Sequence, residues 1–317
     1  MISTRWHKAS SEEAFIIALT KLAASSTNTR FVKIFGATTD TFISRVYQKT
    51  ISSLDNKADR WLHGYCLRRW DNLLPEFAEA IRQKLNGLQR GELLFSNVHI
   101  VSFLHCKIDD KLGTTPLKNE GLAERHPGAE IIQRALYSGY SKMHKLKVLT
   151  VVFPNGIIAY LYCPVSAQEN NIGLLNLSWL NKHLVALQLE VAAAPANGEN
   201  ILFFSMYGDK IFSCLQCITH THEPLLGGQL HPRQRLEVPV MNSLRTSVEW
   251  PYGDIMLLFQ VMQCKHLFLS TVLVTMTLHQ QLCVIFFTCN CYVCFYGDNF
   301  TKFFDLPSPS LANYLEN

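Results

Sequence analysis

Residues 146–163 read LKVLTVVFPNGIIAYLYC. The first run, LKVLTVVF (146–153), is rich in β-branched side chains, and IIAYLYC (157–163) resumes the same apolar habit. Between them, Pro154-Asn155-Gly156 is a strong turn signal. Two apolar runs across so short a break predict a β-hairpin. Upstream, LLFSNVHIVSFL (93–104) is β-prone. Segment 107–140 between the two is long, polar and turn-rich, a kind of loop that is usually functional or disordered. Downstream, Gly173–Leu189 has helical apolar spacing. ILFFSMY (201–207) is a short apolar strand that ends in Gly208-Asp209. Residues from Gln234 to about Gln263 read mainly as helix, as does Val272–Phe287. The order strand, strand, strand, helix, strand, helix, helix predicts an α/β domain with a mixed sheet and helices on its faces.

The chain before Glu92 has a different character. Ser10 or Ser11 could cap a helix over Glu12–Ala24. Thr39–Ser53 and Leu74–Asn86 carry apolar residues at three- and four-residue spacing, and Pro75 suits a first helical turn. Gly87 and Gly91 end the pattern. Two regions are therefore expected: a helical region over 1–92 and a strand-containing domain over 93–317.

With 317 residues, 48% hydrophobic and 17% charged, the chain has a globular composition and can bury a sizeable core. The net charge of +4 is unevenly placed. Residues 1–95 hold 14 Lys/Arg against 9 Asp/Glu, and the rest holds 15 against 16. A basic segment suits a polyanion, though a solvated helical surface has the same composition. The start, MISTRWHKASSEEAF, lacks the apolar core of a secretory signal. The most apolar region, 267–296, is interrupted by His279-Gln280-Gln281 into runs shorter than the ~20 residues a membrane helix needs, and is expected to be buried core without membrane association. The 10 cysteines are expected to be reduced, in a nuclear or cytoplasmic and not a secreted protein.

Two carboxylates stand out. Asp209 follows an apolar strand through a glycine, and acids at the ends of buried strands commonly face a ligand crevice. It could equally be a turn residue or helix cap. Glu249 lies in RTSVEWPYGD (245–254), four residues after Arg245. A surface Arg–Glu pair is the plain reading. Against it stand the apolar weight of Val248, Trp250 and Tyr252, and Pro251, which would interrupt a helix there. A strand-end Asp and a helix-borne Glu suit hard cations such as Mg²⁺ or Mn²⁺. Two such ions about 4 Å apart assist phosphoryl transfer. A third acid would be wanted on the first, central strand, where Phe103-Leu104-His105-Cys106-Lys107 contains none.

YSGYSKMHKLKVLTVVFPNGIIAYLYCPV (137–165), Tyr207-Gly208-Asp209 and SLRTSVEWPYGD (243–254), in that order, resemble the Harbinger/PIF-type DDE transposases and their transposon-derived endonuclease domain. FVKIFGATTDTF (31–42) is similar to the helical region that precedes this domain. The resemblance implies an RNase H-like fold, metal-dependent DNA phosphodiester cleavage and strand transfer, and Mg²⁺ or Mn²⁺ as cofactor. It also implies DNA as partner, alongside a separate Myb-like DNA-binding protein. Asp209 and Glu249 take the second and third acid positions, as metal ligands. His105 takes the place of the first Asp, with Cys106 where relatives have Gly. Asn171 replaces the Asp of an Arg-x-x-Asp element. Imidazole can ligate a metal but brings no negative charge, and Cys106 would be costly if its position required positive φ. Asp109 and Asp110 are too far along an extended chain to substitute, about 13 Å for four residues. A catalytically impaired nuclease is therefore expected. A non-catalytic DNA- or protein-binding derivative is the alternative, and a decayed gene product a third.

Other groupings have plainer readings. Cys289-x-Cys291-x-x-Cys294, with Cys283 nearby, lies in an apolar helical run, where cysteines are usually small core residues. Cys214-x-x-Cys217 with His220 and His222 could hold zinc, which needs four ligands at tetrahedral geometry, but a partly exposed loop is the plainer reading. Lys142, His144, Lys145 and Lys147 form a basic patch beside the hairpin, suited to phosphate or to solvent. Arg68, Arg69, Trp70 and Trp61 fit a DNA-facing helix or, more simply, a core helix with a basic exterior.

Overall fold

A computed structural model describes residues 9–24, 26–37, 39–62, 64–88, 98–108, 137–138, 143–144, 146–166, 169–178, 180–193, 203–209, 217–222, 224, 228–263 and 272–316, with 98–108 described by backbone. Helices α1 (Ser11–Ala23), α2 (Asn28–Phe35), α3 (Asp40–Leu62) and α4 (Leu74–Leu88) form the N-terminal part, with a 3₁₀ segment at Gly64–Leu73. Ser10 is the cap of α1, its hydroxyl accepting the Glu13 amide at 3.1 Å. Helix α2, in the stretch similar to the family's helical region, ends at Gly36 in the left-handed conformation that glycine adopts freely.

Strand β1 is Val98–Ile108, followed by a small antiparallel ribbon of β2 (Tyr137–Ser138) and β3 (Met143–His144). The hairpin is β4 (Leu146–Val152) and β5 (Ile158–Ser166). Its turn closes through Gly156 N–H to the Phe153 carbonyl at 2.9 Å. Gly156 has φ of 80°, and a Cβ there would lie 2.8 Å from Thr301 Cγ2 and 2.9 Å from Asp298 Oδ1. Only glycine satisfies both the backbone and the close approach. The expected single helix over 173–189 is two, α5 (Asn171–Leu177) and α6 (Leu180–Ala193). Ser178 divides them. Its hydroxyl donates to Leu175 O at 2.7 Å, and its carbonyl accepts the Tyr160 hydroxyl at 2.6 Å. Then come β6 (Phe203–Tyr207), β7 (Ile218–Thr219), α7 (Pro232–Ser247), α8 (Trp250–Leu258), α9 (Val272–Tyr296), α10 (Asn299–Phe304) and α11 (Leu311–Glu316).

The main sheet has the order β5-β4-β1-β6-β7. Central β1 runs antiparallel to β4 and parallel to β6. Along β4, side chains alternate between the two faces of the sheet. Val148 and Val152 join a core built by α3, α7, α8 and α9. Leu149, Val151 and Phe153 join another, with Trp70, Phe77, Leu174, Leu175 and Met206. The fold is thus a mixed α/β arrangement with helices on both faces, as the element order predicts.

Two expectations need correction. Strand β1 continues to Ile108, just past the expected strand end in Phe103–Lys107, so His105 and Cys106 lie within the ladder. Cys106 pairs with Leu149 in extended backbone, and among the described residues Asp305 is the only non-glycine with positive φ. The conformational cost expected at Cys106 does not arise. Second, the helix expected over Val272–Phe287 is present, and its apolar run is limited less than expected by His279-Gln280-Gln281. Helix α9 runs straight through it, and Leu278–Tyr296 is long and apolar enough to cross a membrane by length and composition, with half of that window buried in the protein. Within it Asn290, fully buried, accepts the Ile158 amide at 2.9 Å and donates to Ile158 O and the Tyr314 hydroxyl.

Candidate functional site

The β1–β6 register pairs Phe103 with Tyr207. His105 lies two residues beyond Phe103 within β1, and Asp209 lies two residues beyond Tyr207, past the end of β6. Tyr207 anchors this end of β6. It is buried, and its hydroxyl donates to the Met241 carbonyl of α7 at 3.0 Å while sharing a 2.6 Å bond with Thr221. Burial raises its phenol above the ordinary value. Two residues on, Asp209 reaches the partly exposed strand end.

Helix α7 brings the second carboxylate. Its residues Arg245 and Thr246 accept the amides of Val248 and Glu249 at 3.3 and 3.1 Å, and the helix restarts at Trp250. Pro251 falls in the first turn of α8, where its missing N–H costs little. The interruption expected from Pro251 is therefore a clean boundary between two helices. Glu249 stands at that boundary, exposed, and its side chain makes no capping bond. The plain Arg245–Glu249 pairing gives way to a different contact: the Arg245 guanidinium lies 3.8 Å from the Asp209 carboxylate. One turn into α8, the buried Tyr252 hydroxyl makes a short hydrogen bond to Thr150 Oγ1. Thr150 is the cross-strand partner of His105. The fold therefore ties Asp209 to α7 by an ion pair, and α8, which follows Glu249, to β4 by the Tyr252–Thr150 bond.

Most other groupings take their plain readings. Lys147 is buried, its ammonium bonded to the Glu169 carbonyl and, at 3.2 Å, to Asn171 Oδ1, so it presents no charge to phosphate. Arg69 donates to the Tyr314 carbonyl at 2.7 Å and lies against Trp61, Trp70 and Tyr314, binding the C-terminal helix. Cys289, Cys291 and Cys294 are free thiols in α9, and burial pushes Cys291 up to about 11 and Cys294 up to about 12. His222 pairs with Glu237 at 2.7 Å. Cys214, Lys142, Lys145, Asp109 and Asp110 lie outside the described residues.

One grouping was not anticipated. Asp55 of α3 and His279 and Cys283 of α9 bring one potential ligand atom each within 4.8 Å of one another. The three side chains could coordinate a divalent ion. The i,i+4 spacing of His279 and Cys283 was visible, but Asp55 lies more than 200 residues away in sequence.

Residues 124–291 match a protein-family model described as the DDE superfamily endonuclease. The match spans the hairpin, β6, Asp209 and Glu249, and begins after β1. No curated protein matches the chain, and no solved structure does. The matched segment covers just over half of the 317 residues, and with the motifs around Asp209 and Glu249 it assigns the chain to the Harbinger-type DDE superfamily endonuclease family.

Proposed function

We propose that this chain is an RNase H-like, DDE-type nuclease domain of transposon origin whose DNA-cleavage chemistry is impaired, with the helical region 1–92 preceding it and DNA as its partner in the nucleus. The sheet order, with the first strand central, antiparallel pairings on one side of it and parallel pairings on the other, supports the fold assignment. The observation that supports the functional reading is the Phe103–Tyr207 pair of β1 and β6, after which His105 and Asp209 each follow by two residues. Phosphoryl transfer assisted by two ions needs several anionic oxygens to hold two divalent charges close together. Here two carboxylates remain, β1 contains no Asp or Glu, and a guanidinium lies 3.8 Å from Asp209. That donor set does not fit a two-ion magnesium centre, because imidazole adds no charge and hard cations prefer oxygen.

The test is Mn²⁺-dependent nicking of supercoiled DNA by four purified proteins: the native chain, Asp209→Ala, His105→Asp, and the double variant. Nicking by His105→Asp alone is the expected result. Nicking by the native chain that Asp209→Ala abolishes would overturn the impairment. If all four fold and none nicks, the nuclease reading describes ancestry, and a DNA- or protein-binding derivative takes its place. Salt-dependent DNA retention would then separate those two, since phosphate contacts weaken steeply as salt rises.

A further inference from the structure

We propose that Asp55, His279 and Cys283 form a binding site for a borderline-soft divalent transition metal, zinc being the best match, which clips the N-terminal helix α3 to the core helix α9. The site is independent of the reading above, since it shares no residue with the Asp209 end of the sheet. Helices α3 and α9 pack against β5, three strand spacings from β6, roughly 14 Å.

The geometry is close to a coordination shell. Cys283 Sγ lies 3.6 Å from His279 Nε2 and 3.9 Å from Nδ1. Two ligands on a tetrahedral zinc, with Zn–S about 2.3 Å and Zn–N about 2.0–2.1 Å, stand about 3.6 Å apart. The S–Nε2 spacing matches a tetrahedral edge, but the similar distance to Nδ1 places the sulfur beside the ring, so the imidazole must turn to aim a nitrogen lone pair at the ion. Asp55 completes a three-atom group within 4.8 Å, and a side-chain adjustment would bring its oxygen to bonding range. One thiolate, one imidazole and one carboxylate form a set that selects zinc or cobalt over magnesium. Three protein ligands leave a fourth position for water.

The surroundings hold these ligands in place. Ile51, Ala58 and Leu62 of α3 share one core with Leu278, Leu282 and Phe286 of α9. Ser52 and Gln280, each adjacent to the site on its own helix, are bonded at 3.4 Å. A metal here would join two segments separated by more than 200 residues, so its binding would be coupled to docking of α3.

The experiment uses the full reduced chain stripped with chelator and titrated with Co²⁺, then Zn²⁺. The expected result is about one equivalent of Co²⁺ bound. It should show visible ligand-field bands of a four-coordinate ion and a thiolate charge-transfer band in the near ultraviolet, displaced by Zn²⁺. Cys283→Ser should abolish the charge-transfer band. His279→Gln should weaken binding by more than the roughly 10–100-fold typical of an outer-shell change. Cys291→Ser and Asp209→Ala should leave the spectrum unchanged. Zn²⁺ should raise the melting temperature of the native chain but not of the Cys283→Ser variant. Should Cys283→Ser fail to fold, Asp55→Asn, at a half-buried position, decides the matter. It should keep the thiolate band and lose affinity at least tenfold. No cobalt spectrum from the native chain, a spectrum unaltered in Asp55→Asn, or one that depends on Cys291 would each overturn the proposal.

Discussion

At the scale of single residues, the departures from the family pattern have physical consequences. Arg245 against Asp209 is an exposed pair and contributes less than about 1 kcal/mol to stability, so its effect is electrostatic and local. Lys147 is a different case. Its ammonium is buried and its bonds go to two neutral acceptors, a backbone carbonyl and Asn171 Oδ1. Asn171 is the position at which the family pattern has Asp. Asn171→Asp would give the buried cation a charged partner at the first position of α5, where an anion also suits the helix dipole. Charge-assisted bonds are roughly twice as strong as neutral ones. The expected gain is about 1 kcal/mol, read as a higher urea midpoint with an unchanged m-value. It should vanish in a Lys147→Met background. A loss of stability on Asn171→Asp would show that Lys147 is satisfied by its neutral acceptors.

At the scale of elements, the hairpin was legible because its signals are local: β-branched runs on either side of Pro154-Asn155-Gly156. The break between α7 and α8 was legible in Pro251, although the boundary falls before it, at Ser247. Strand β7, two residues long, carries no periodicity at all. Nor could any local pattern pair Arg245 with Asp209, or Asp55 with His279 and Cys283, since those contacts exist only once the sheet has formed. The Tyr252–Thr150 bond belongs to this class, and it fixes α8, and so Glu249, against β4. Thr150 is fully buried, so Tyr252→Phe leaves its hydroxyl without that partner. The expected cost is about 1–2 kcal/mol. Combining it with Thr150→Val should recover part of that loss, because both polar groups are then removed. A double-mutant cycle in denaturant measures the coupling. Strict additivity would mean that the bond does not hold α8 in place.

At the scale of the whole molecule, the sequence divides near residue 92 in composition, but the packing does not divide there. Ile51, Leu62, Ile81 and Leu85 are buried in the core that contains Val148, Val152 and Ile158 of the hairpin. Trp70 and Phe77 close the other face, their rings 5.6 and 4.7 Å from that of Phe153. A composition shift reports which elements form, whereas the cores record which surfaces those elements cover, and here the helices cover both faces of the sheet. These six side chains, at ~1.5–3 kcal/mol each when fully buried, sum to on the order of 10 kcal/mol. The net stability of a whole domain is about 5–15 kcal/mol. A chain beginning at residue 93 is therefore expected to lose its cooperative fold. It should bind a hydrophobic dye, give little near-ultraviolet circular dichroism and be cut rapidly by protease within the hairpin, while the full chain unfolds in one transition. A soluble 93–317 chain with a native-like near-ultraviolet spectrum and a sharp thermal transition would refute this. It would show that the sheet carries its own core, and that the helices of 1–92 are an appendage to the nuclease-type domain and not one of its walls.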